Sequence, residues 1–505
     1  MSSGPDETLA ALPLALDWSA YDAYGAGDAY AALPRHGAGF GKAAAVCIGS
    51  RTCQRSDAKG VMCPSFRATG DAEHSTRHRA ATLKAALDGE LGDSPFTHPQ
   101  LQAALDLCLA CKGCKRECPN GVDMALLKTE ALAQRWRREA APLRERFFAA
   151  TPTWLHALRR WPGAHRLPAL RRPGSWLARW LERRFGLAVA RSTPALAPRS
   201  WLETARPMSS KAAGEPAAAP AREVLLLVDT FSNHFDPETL DAAMGVLQAA
   251  GCRVHIARPP AGDGAHPADP VPLCCGRTAL SGGFVDAARE HARRLLAVLG
   301  PHVAAGHAVI GLEPSCLLML RDEYLALGLG PELQATAQAV AAQAWLLEEF
   351  LAREVQPAPI GAGPASPSAP AANGKARLTL PLGPLPAAPG ATPPSALVHG
   401  HCHQKAYGAL KPMRKVLGWV PGLKTEFIES SCCGMAGSFG LEAEHHALSM
   451  QMAELALLPA VRAAADETWL LANGSSCRHQ IRDGAQREAR HFVHLLWASV
   501  QAASR

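Results

Sequence analysis

The sequence predicts a mixed fold in which a helical, cysteine-rich domain is followed by two repeated α/β domains with parallel sheets. A dense run of cysteines that ends in Cys118-Pro119 is flanked by apolar residues at helical spacing. Beyond residue 222, buried-strand patterns alternate with helical patterns, which is typical of a parallel sheet. Cys-Cys-Gly occurs in both C-terminal halves, at Cys274 and Cys432, so we expect the α/β unit to be repeated.

Composition divides the 505 residues into seven segments. They are an irregular lead-in packed on the cysteine-rich domain (1–46), that domain (47–133), an Arg/Trp-rich helical arm (134–204), a linker (205–222), the first α/β domain (223–356), a Pro/Ala-rich linker expected to be largely disordered (357–395) and the second α/β domain (396–505). A chain of this length is expected to form about three domains, each with its own core.

The cysteine-rich domain has the spacing of a two-cluster ferredoxin. Its central run is C-x2-C-x2-C-x3-C-P, and in two-cluster proteins the fourth cysteine of such a run ligates the other cluster. Cys63-Pro64 repeats the Cys-Pro signature upstream. The predicted ligands are therefore Cys63, Cys108, Cys111 and Cys114 for one [4Fe-4S] cluster, and Cys47, Cys53 and Cys118 for the other. We also expect a helix to begin at the Cys118-Pro119 turn.

The second of these clusters lacks an evident fourth thiolate, since the domain offers seven cysteines instead of eight. It could be a [3Fe-4S] cluster or a [4Fe-4S] cluster with a non-cysteine ligand. Zinc is the alternative for close cysteines, but zinc sites usually come as two separated C-x2-C pairs. A helix is predicted to begin near Arg77, with Ser75 or Thr76 as its cap. We expect Arg77 and Arg79 either beside the anionic clusters or on a solvated helix end.

Fifteen cysteines without a secretory signal in Met1–Glu7 predict a reducing, cytoplasmic location. The net charge of +7 is modest and does not favour nucleic-acid binding. No apolar run is long enough to cross a bilayer, so membrane contact would be peripheral.

The Arg/Trp-rich arm could lie on an anionic membrane face or dock a partner. We favour an arm wrapped on the protein's own domains, with its tryptophans buried: Trp136, Trp154, Trp161, Trp176, Trp180 and Trp201.

The repeated α/β halves supply a third set of cysteines. Loops at the carboxyl ends of parallel strands converge on one crevice, so cysteines distant in sequence can meet there. The second half offers Cys402, Cys432, Cys433 and Cys477, with His399, His401 and His403 as ligands, proton carriers or hydrogen-bond donors to sulfur. The first half offers only Cys274, Cys275 and Cys316, because Asp229 stands where another cysteine is expected. We expect one centre, built mainly by the second half, and we interpret Cys252 as a small buried residue.

These motifs resemble the CCG-domain iron–sulfur proteins. The matching stretches are Met62–Thr69, His74–Ala80, Leu107–Cys118, Leu312–Cys316, His399–Lys405 and Ser431–Gly440. The chain is similar to the iron–sulfur half of bacterial FAD-linked oxidases, to the glycolate oxidase iron–sulfur subunit and D-lactate dehydrogenase type, and to the CCG-bearing subunit of heterodisulfide reductase. The flavin region of the fused relatives has no counterpart here, so we expect no FAD in this chain. The five-cysteine CCG pattern is incomplete, so the third centre could be an iron–sulfur cluster or zinc.

The resemblance implies an electron-transfer subunit. It would relay electrons from a separate FAD-linked 2-hydroxy-acid dehydrogenase, of the lactate or glycolate type, to a quinone or cytochrome. The alternative is an enzyme that reduces a disulfide or quinone at the CCG centre, as in heterodisulfide reductase. A third hypothesis is a zinc-stapled scaffold without a redox role.

Overall fold

A computed structural model describes residues 12–28, 31–57, 60–205, 222–259, 272–358, 377–386 and 393–504. The predicted mixed fold with parallel strands is confirmed. The helices are α1 Ala38–Ala45, α2 Pro64–Thr69, α3 Thr76–Leu87, α4 Pro99–Asp106, α5 Gly113–Glu117, α6 Met124–Trp136, α7 Leu143–Ala149, α8 Thr151–Arg159, α9 Leu167–Leu170, α10 Trp176–Phe185, α11 Trp201–Thr204, α12 Thr230–His234, α13 Pro237–Ala249, α14 Arg277–Ser281, α15 Val285–Ala304, α16 Pro314–Arg321, α17 Pro331–Gln343, α18 Leu347–Glu354, α19 Cys402–Ala406, α20 Leu410–Leu417, α21 His446–Glu454, α22 Leu457–Ala463, α23 Ser475–Ala485 and α24 Phe492–Ala503.

The strands form three parallel sheets in the described part of the chain. They are β1 Arg222–Leu226, β2 Cys252–Ile256, β3 Ala308–Gly311, β4 Ala344–Leu346, β5 Val355–Pro357, β6 Leu378–Leu380, β7 Ser395–His399, β8 Lys424–Phe427 and β9 Trp469–Ala472.

Short helices α1 to α6 build the cysteine-rich domain. Ser75 caps α3 by accepting from the His78 N–H (3.4 Å), as the sequence predicts. The expected helix does not begin at Cys118-Pro119: α6 starts only at Met124, because Asp123 caps it there. The lead-in packs on this domain as predicted, since the Glu130 carboxylate accepts from Ala15 N, Leu16 N and Trp18 Nε1. It is less irregular than expected, because residues 38–45 are helical.

The first α/β unit has the strand order β2-β1-β3-β4. Val224 of the central strand pairs with Val254 on one side and Ala308 on the other. Val224, Leu225 and Leu226 are fully buried, as expected for a parallel strand covered on both faces.

The second unit repeats this arrangement with the order β8-β7-β9, again with its first strand in the centre. The apolar spacing over 443–457 predicts a single helix, but the structure has two, α21 and α22, separated by residues 455 and 456. Apolar cores cross the predicted domain boundaries. One runs from the N-terminal helices into α15 and α16, and a second is shared by both large sheets.

The linker predictions fall partly outside the described residues. The predicted linker and the predicted disorder rest mostly on residues that the structure does not describe, namely 206–221, 359–376 and 387–392. The spacer over 357–395 does contain one described strand, β6, which pairs with β5 through Val355 and Leu378.

The Arg/Trp-rich arm is helical, but the prediction that it buries its tryptophans is wrong for half of them. Trp161, Trp176 and Trp180 are 74%, 73% and 52% exposed, whereas Trp201 is buried. Trp176 and Trp180 lie four residues apart on α10 and so share one of its faces. Among the described helices, none is long and apolar enough to cross a membrane.

Candidate metal centres

Cys63, Cys108, Cys111 and Cys114 line one small internal cavity, as expected for ligands of a single centre. Cys63 lies at the start of α2, and Cys114 is the second residue of α5. Ala110 and Lys112, between the other cysteines, adopt the left-handed conformation (φ 50° and 61°), which bends the chain tightly around the cavity.

A buried cation faces these sulfurs. Arg79 is 1% exposed and its guanidinium donates to Cys63 Sγ (3.2 Å), Ser65 Oγ (2.8 Å) and the Ala104 carbonyl (2.9 Å). Burial raises the pKa of Cys63, but the Arg79 charge and the Ser65 hydrogen bond outweigh it, so that the pKa is lowered overall. Among the described residues no carboxylate pairs with Arg79. An anionic thiolate-ligated cluster would therefore supply its counter-charge.

The sulfur spacing also fits a cluster better than a single ion. No three of these four sulfurs lie within 4.8 Å of one another. Four thiolates bound to one zinc ion at about 2.3 Å would lie only about 3.8 Å apart. The set is therefore too open for one zinc ion, while thiolates on different irons of a cluster are spread more widely.

Cys47, Cys53 and Cys118 form a second, more exposed set. Burial raises the pKa of Cys47, and the Cys118 thiolate raises it further. Cys53 Sγ accepts from the backbone N–H of Arg77 (3.3 Å). Arg77 therefore touches this set through its backbone, and the predicted role of its side-chain charge stays a prediction. No fourth ligand to this set emerges among the described residues.

The second α/β unit brings its four cysteines together with a histidine. Cys402, Cys432, Cys433 and Cys477 lie close enough to one another for each thiol to shift the pKa of its neighbours. Ligand atoms of His399, Cys433 and Cys477 all lie within 4.8 Å of one another, and all three residues are buried. Gly434 allows this turn: its φ is +86°, and a Cβ there would lie 2.2 Å from the Ser449 carbonyl oxygen.

The three histidines beside Cys402 have different environments. His399 Nδ1 contacts Ser430 Oγ (3.0 Å), while its buried Nε2 has no hydrogen-bond partner and faces the cysteines. Burial lowers the pKa of His403 to about 4. Burial also disfavours the charged form of His401, but the Cys402 thiolate raises the pKa of His401 to about 9. His399 is thus placed to ligate through Nε2, and His401 to remain charged beside sulfur.

The cysteines of the first α/β unit form a separate set. Cys274, Cys275 and Cys316 are all buried, and the Cys275 thiol lies close enough to the other two for them to shift one another's pKa. Asp229 lies beside Cys316; burial raises its pKa to about 6, and its Oδ2 has no hydrogen-bond partner. Cys252 is buried in β2, as predicted, with its pKa raised by burial to about 12.

Glu313 lies between the two cysteine sets of the α/β units. Its carboxylate accepts from Ser475 N (2.9 Å) at the start of α23, and its charge also acts on Cys316 and Cys477. Lys405 is a further residue that the sequence analysis did not single out. Its ammonium donates to Ser430 Oγ (3.1 Å) and to the carbonyl of Ser431 (3.0 Å), just before Cys432. Both residues fall inside the matching stretches, so proximity to the cysteines in sequence was the available signal.

The ferredoxin-type loop contacts both α/β units. His403 Nε2 donates to the Ala110 carbonyl (3.2 Å), and the Cys111 and Cys402 sulfurs are close enough to influence each other's ionisation. Lys112, 1% exposed, forms ion pairs with Asp123 (2.9 Å), Asp322 (3.0 Å) and Glu323 (3.4 Å). The cysteine loop is thereby fixed to the first unit by charge and to the second by backbone contact.

A cavity of about 1210 Å³ opens beside the second-unit cysteines. Cys402, Cys432 and Cys433 line it on one side, and helices of the arm close the other. Arg277 and Arg478 contribute positive charge to its wall. The volume is sufficient for a small organic molecule beside the thiols.

Comparison with known proteins supports an iron–sulfur assignment. Residues 43–122 match the family model for a 4Fe-4S dicluster domain. The chain carries this domain and is homologous to iron–sulfur oxidoreductase-type proteins, so the resemblance predicted from the sequence is confirmed.

The particular relatives are dehydrogenases and a lactate utilization protein. The chain is 24% identical to D-2-hydroxyglutarate dehydrogenase of Pseudomonas putida, over 89% of this chain and 42% of that protein. It is 26% identical to a subunit of the anaerobic glycerol-3-phosphate dehydrogenase of Escherichia coli, over 44% of this chain and 48% of that protein. Lactate utilization protein A of an Exiguobacterium species is 23% identical over 55% of this chain and 99% of that protein. The chain spans less than half the length of the D-2-hydroxyglutarate dehydrogenases it matches. No solved structure matches.

Proposed function

We propose that this chain is the iron–sulfur electron-transfer component of an FAD-linked 2-hydroxy-acid dehydrogenase. Its residues would hold two ferredoxin-type clusters and a third centre at Cys402, Cys432, Cys433 and Cys477. Clusters of this kind accept and donate single electrons. The flavin would be carried by a separate subunit, and the acceptor would be a quinone or cytochrome.

The contact between the ferredoxin-type loop and the second α/β unit carries this proposal. The hydrogen bond from His403 to the Ala110 carbonyl fixes the backbone between Cys108 and Cys111 beside Cys402. Arg79 and His401 place positive charge around the same junction, where it would stabilise anionic centres. The protein thus encloses adjacent thiol sets in a buried, charge-compensated setting, as an electron relay requires.

The relatives' names support the choice of substrate class. Two of the three refer to D-2-hydroxyglutarate and lactate, which are 2-hydroxy acids. The third is a subunit of a glycerol-3-phosphate dehydrogenase, which supports the subunit role and not the substrate class. Since this chain spans 42% of the Pseudomonas protein, a further part is expected to supply the substrate site.

Affinity purification of the tagged chain from its native host tests this function. We expect an FAD-containing protein to co-purify, and anaerobic addition of D-lactate, glycolate or D-2-hydroxyglutarate to the complex to bleach the visible absorbance of the clusters. Cys433→Ser should lower the number of electrons accepted, whereas Cys252→Ser, at a buried strand cysteine, should not. Recovery of no flavoprotein, together with no bleaching by any of the three acids, would contradict the proposal.

The cavity favours a second candidate function, the reduction of a disulfide or quinone at the third centre. Its wall contains Cys402, Cys432 and Cys433, so a molecule inside could contact the ligands of that centre directly. With a chemical reductant supplied in excess, the protein should then reduce a soluble quinone or disulfide catalytically, faster than the reductant does alone. Cys433→Ser would abolish this turnover with the ferredoxin-type clusters intact, and unchanged turnover in the variant would exclude the reaction.

We further propose that the arm lies on an anionic membrane surface. Exposed Trp161, Trp176 and Trp180 occur among exposed arginines of the same segment. Indole rings favour the membrane interface and arginines favour anionic lipid head groups. Co-sedimentation with phosphatidylglycerol vesicles should exceed that with phosphatidylcholine vesicles. The double change of Trp176 and Trp180 to Ser should remove the difference, while Trp201→Phe, at a buried site, should preserve it. Equal binding to both vesicle types would refute this placement.

A further inference from the structure

Three histidines and a glutamate meet on the first sheet, outside the cysteine sets described above. Glu223 is the second residue of β1, His255 lies in β2, and His307 immediately precedes β3. His302 comes from the last turn of α15. Glu223 and His307 lie at the amino ends of β1 and β3, and His255 is the fourth residue of β2, whereas Asp229 and Cys316 follow the carboxyl ends of β1 and β3.

Two imidazoles point at the same carboxylate oxygen. His255 Nε2 and His307 Nε2 each lie 3.0 Å from Glu223 Oε2. The ligand atoms of the three residues all lie within 4.8 Å of one another. Ligands bound at about 2.0–2.1 Å with tetrahedral angles would lie about 3.3 Å apart, so small side-chain adjustments would suffice to hold one ion.

Neighbouring groups orient these ligands. His302 Nδ1 lies 3.1 Å from His307 Nδ1. If His307 carries its proton on Nδ1, it can donate that proton to His302 Nδ1, and the lone pair of His307 Nε2 is then available to a metal ion. Arg253 Nη1 donates to Glu223 Oε1 (2.9 Å), which leaves Oε2 as the oxygen facing the histidines. Outer hydrogen bonds of this kind fix the ring orientation and tautomer of metal-binding histidines.

We propose that Glu223, His255 and His307 form a binding site for a divalent transition-metal ion, Zn²⁺ by its ligand chemistry, with His302 and Arg253 as positioning residues. Two imidazoles and one carboxylate are an established set for zinc with a fourth position open to water. The Glu223 and His255 side chains are 33% and 34% exposed, so an ion can enter from solvent. The bound ion would tie β1, β2 and the start of β3 together.

Zinc binding to the cluster-loaded protein tests this site. We expect one zinc ion beyond any bound by cysteines to survive passage over a weak chelating resin. Zinc-edge X-ray absorption should show nitrogen and oxygen neighbours at about 2.0–2.1 Å, without sulfur, for that ion. Thermal unfolding should shift upward when zinc is added.

Variants separate this site from adventitious binding. His255→Ala and Glu223→Gln should each lose the additional ion and the thermal shift, with iron content unchanged. His165→Ala, in the arm, serves as the matched control and should keep both. The proposal is overturned if wild-type protein retains no additional zinc, if the ion has sulfur neighbours, or if His255→Ala retains the same nitrogen-ligated ion.

Discussion

His445 links the cysteine-rich domain to the second α/β unit, and its charge should make that link sensitive to pH. Its Nε2 lies 2.8 Å from Asp106 Oδ2 on α4, and its Nδ1 lies 2.7 Å from Glu442 Oε2. Phe439 stacks on the ring, with centroids 4.2 Å apart. Burial disfavours the imidazolium, but the hydrogen bonds to Asp106 and Glu442 outweigh it and raise the pKa of His445 to about 9.

The size of the effect follows from this pKa. A change from 6.5 to about 9 corresponds to about 3.4 kcal/mol between the two protonation states. The Asp106 side chain is 54% exposed, so water screens part of the attraction and about 1–2 kcal/mol remains. Because the folded-state pKa is raised, this stabilisation is complete below about pH 6.5 and is lost as the pH rises through about 9.

The comparison of wild type with His445→Gln measures it. Urea midpoints of the cluster-loaded proteins should differ by the equivalent of about 1–2 kcal/mol near pH 6 and should converge above pH 9. His165→Gln should follow wild type at both values. A difference between wild type and His445→Gln that is constant or grows with pH would refute the assignment of a charged imidazolium bridge.

Three further substitutions probe the cysteine sites. Lys112→Met should destabilise the protein by about 3–5 kcal/mol in urea unfolding, because it removes the fully buried ammonium that three carboxylates share, while Lys115 and Arg277 keep only part of that network paired. Lys115→Met, at a side chain 38% exposed, should cost about 1 kcal/mol or less. Equal losses would contradict the buried network. Arg79→Met should lower iron retention against a chelator about 10–100-fold. Arg77→Met should have a smaller effect, because Arg77 contacts sulfur only through its backbone. Unchanged iron retention in Arg79→Met would exclude the Arg79 charge as the counter-ion of the cluster. Gly434→Ala should lower the free energy of unfolding by at least about 2 kcal/mol, since the added Cβ would meet the Ser449 carbonyl. Gly437→Ala, also at positive φ but with open space around it, should lower it by only about 1 kcal/mol. Similar losses in the two variants would refute the steric argument.

Features set by short-range sequence were predictable. The cysteine spacing anticipated that Cys63 would join Cys108, Cys111 and Cys114 around one cavity. Strand β2 lies where its β-branched and apolar pattern placed it, over Cys252–Ile256. Such features depend on local backbone geometry and on the period of the apolar residues, which the sequence displays directly.

Features set by tertiary packing were not predictable from the sequence. Exposure of Trp176 depends on which face of α10 the rest of the molecule covers, and an Arg/Trp pattern is compatible with either outcome. The interruption between α21 and α22 is different, because the sequence did contain its signal: Pro459 has no N–H to donate to the Leu455 carbonyl and its ring crowds that carbonyl, which outweighs the helical spacing of the apolar residues. Two of the three carboxylates that pair with Lys112, Asp322 and Glu323, lie more than two hundred residues away, so most of its buried network had no local signature.

The most direct test of the central claim is the iron and sulfide content of anaerobically purified protein, with low-temperature electron paramagnetic resonance before and after dithionite. The His255→Ala variant should be used, so that zinc at the histidine cluster does not contribute to the metal count. The three-centre account predicts iron and sulfide for about three clusters, and magnetically interacting signals on reduction. Iron for only two clusters, with zinc bound by the cysteines of the second α/β unit, would contradict it and make that unit a structural domain.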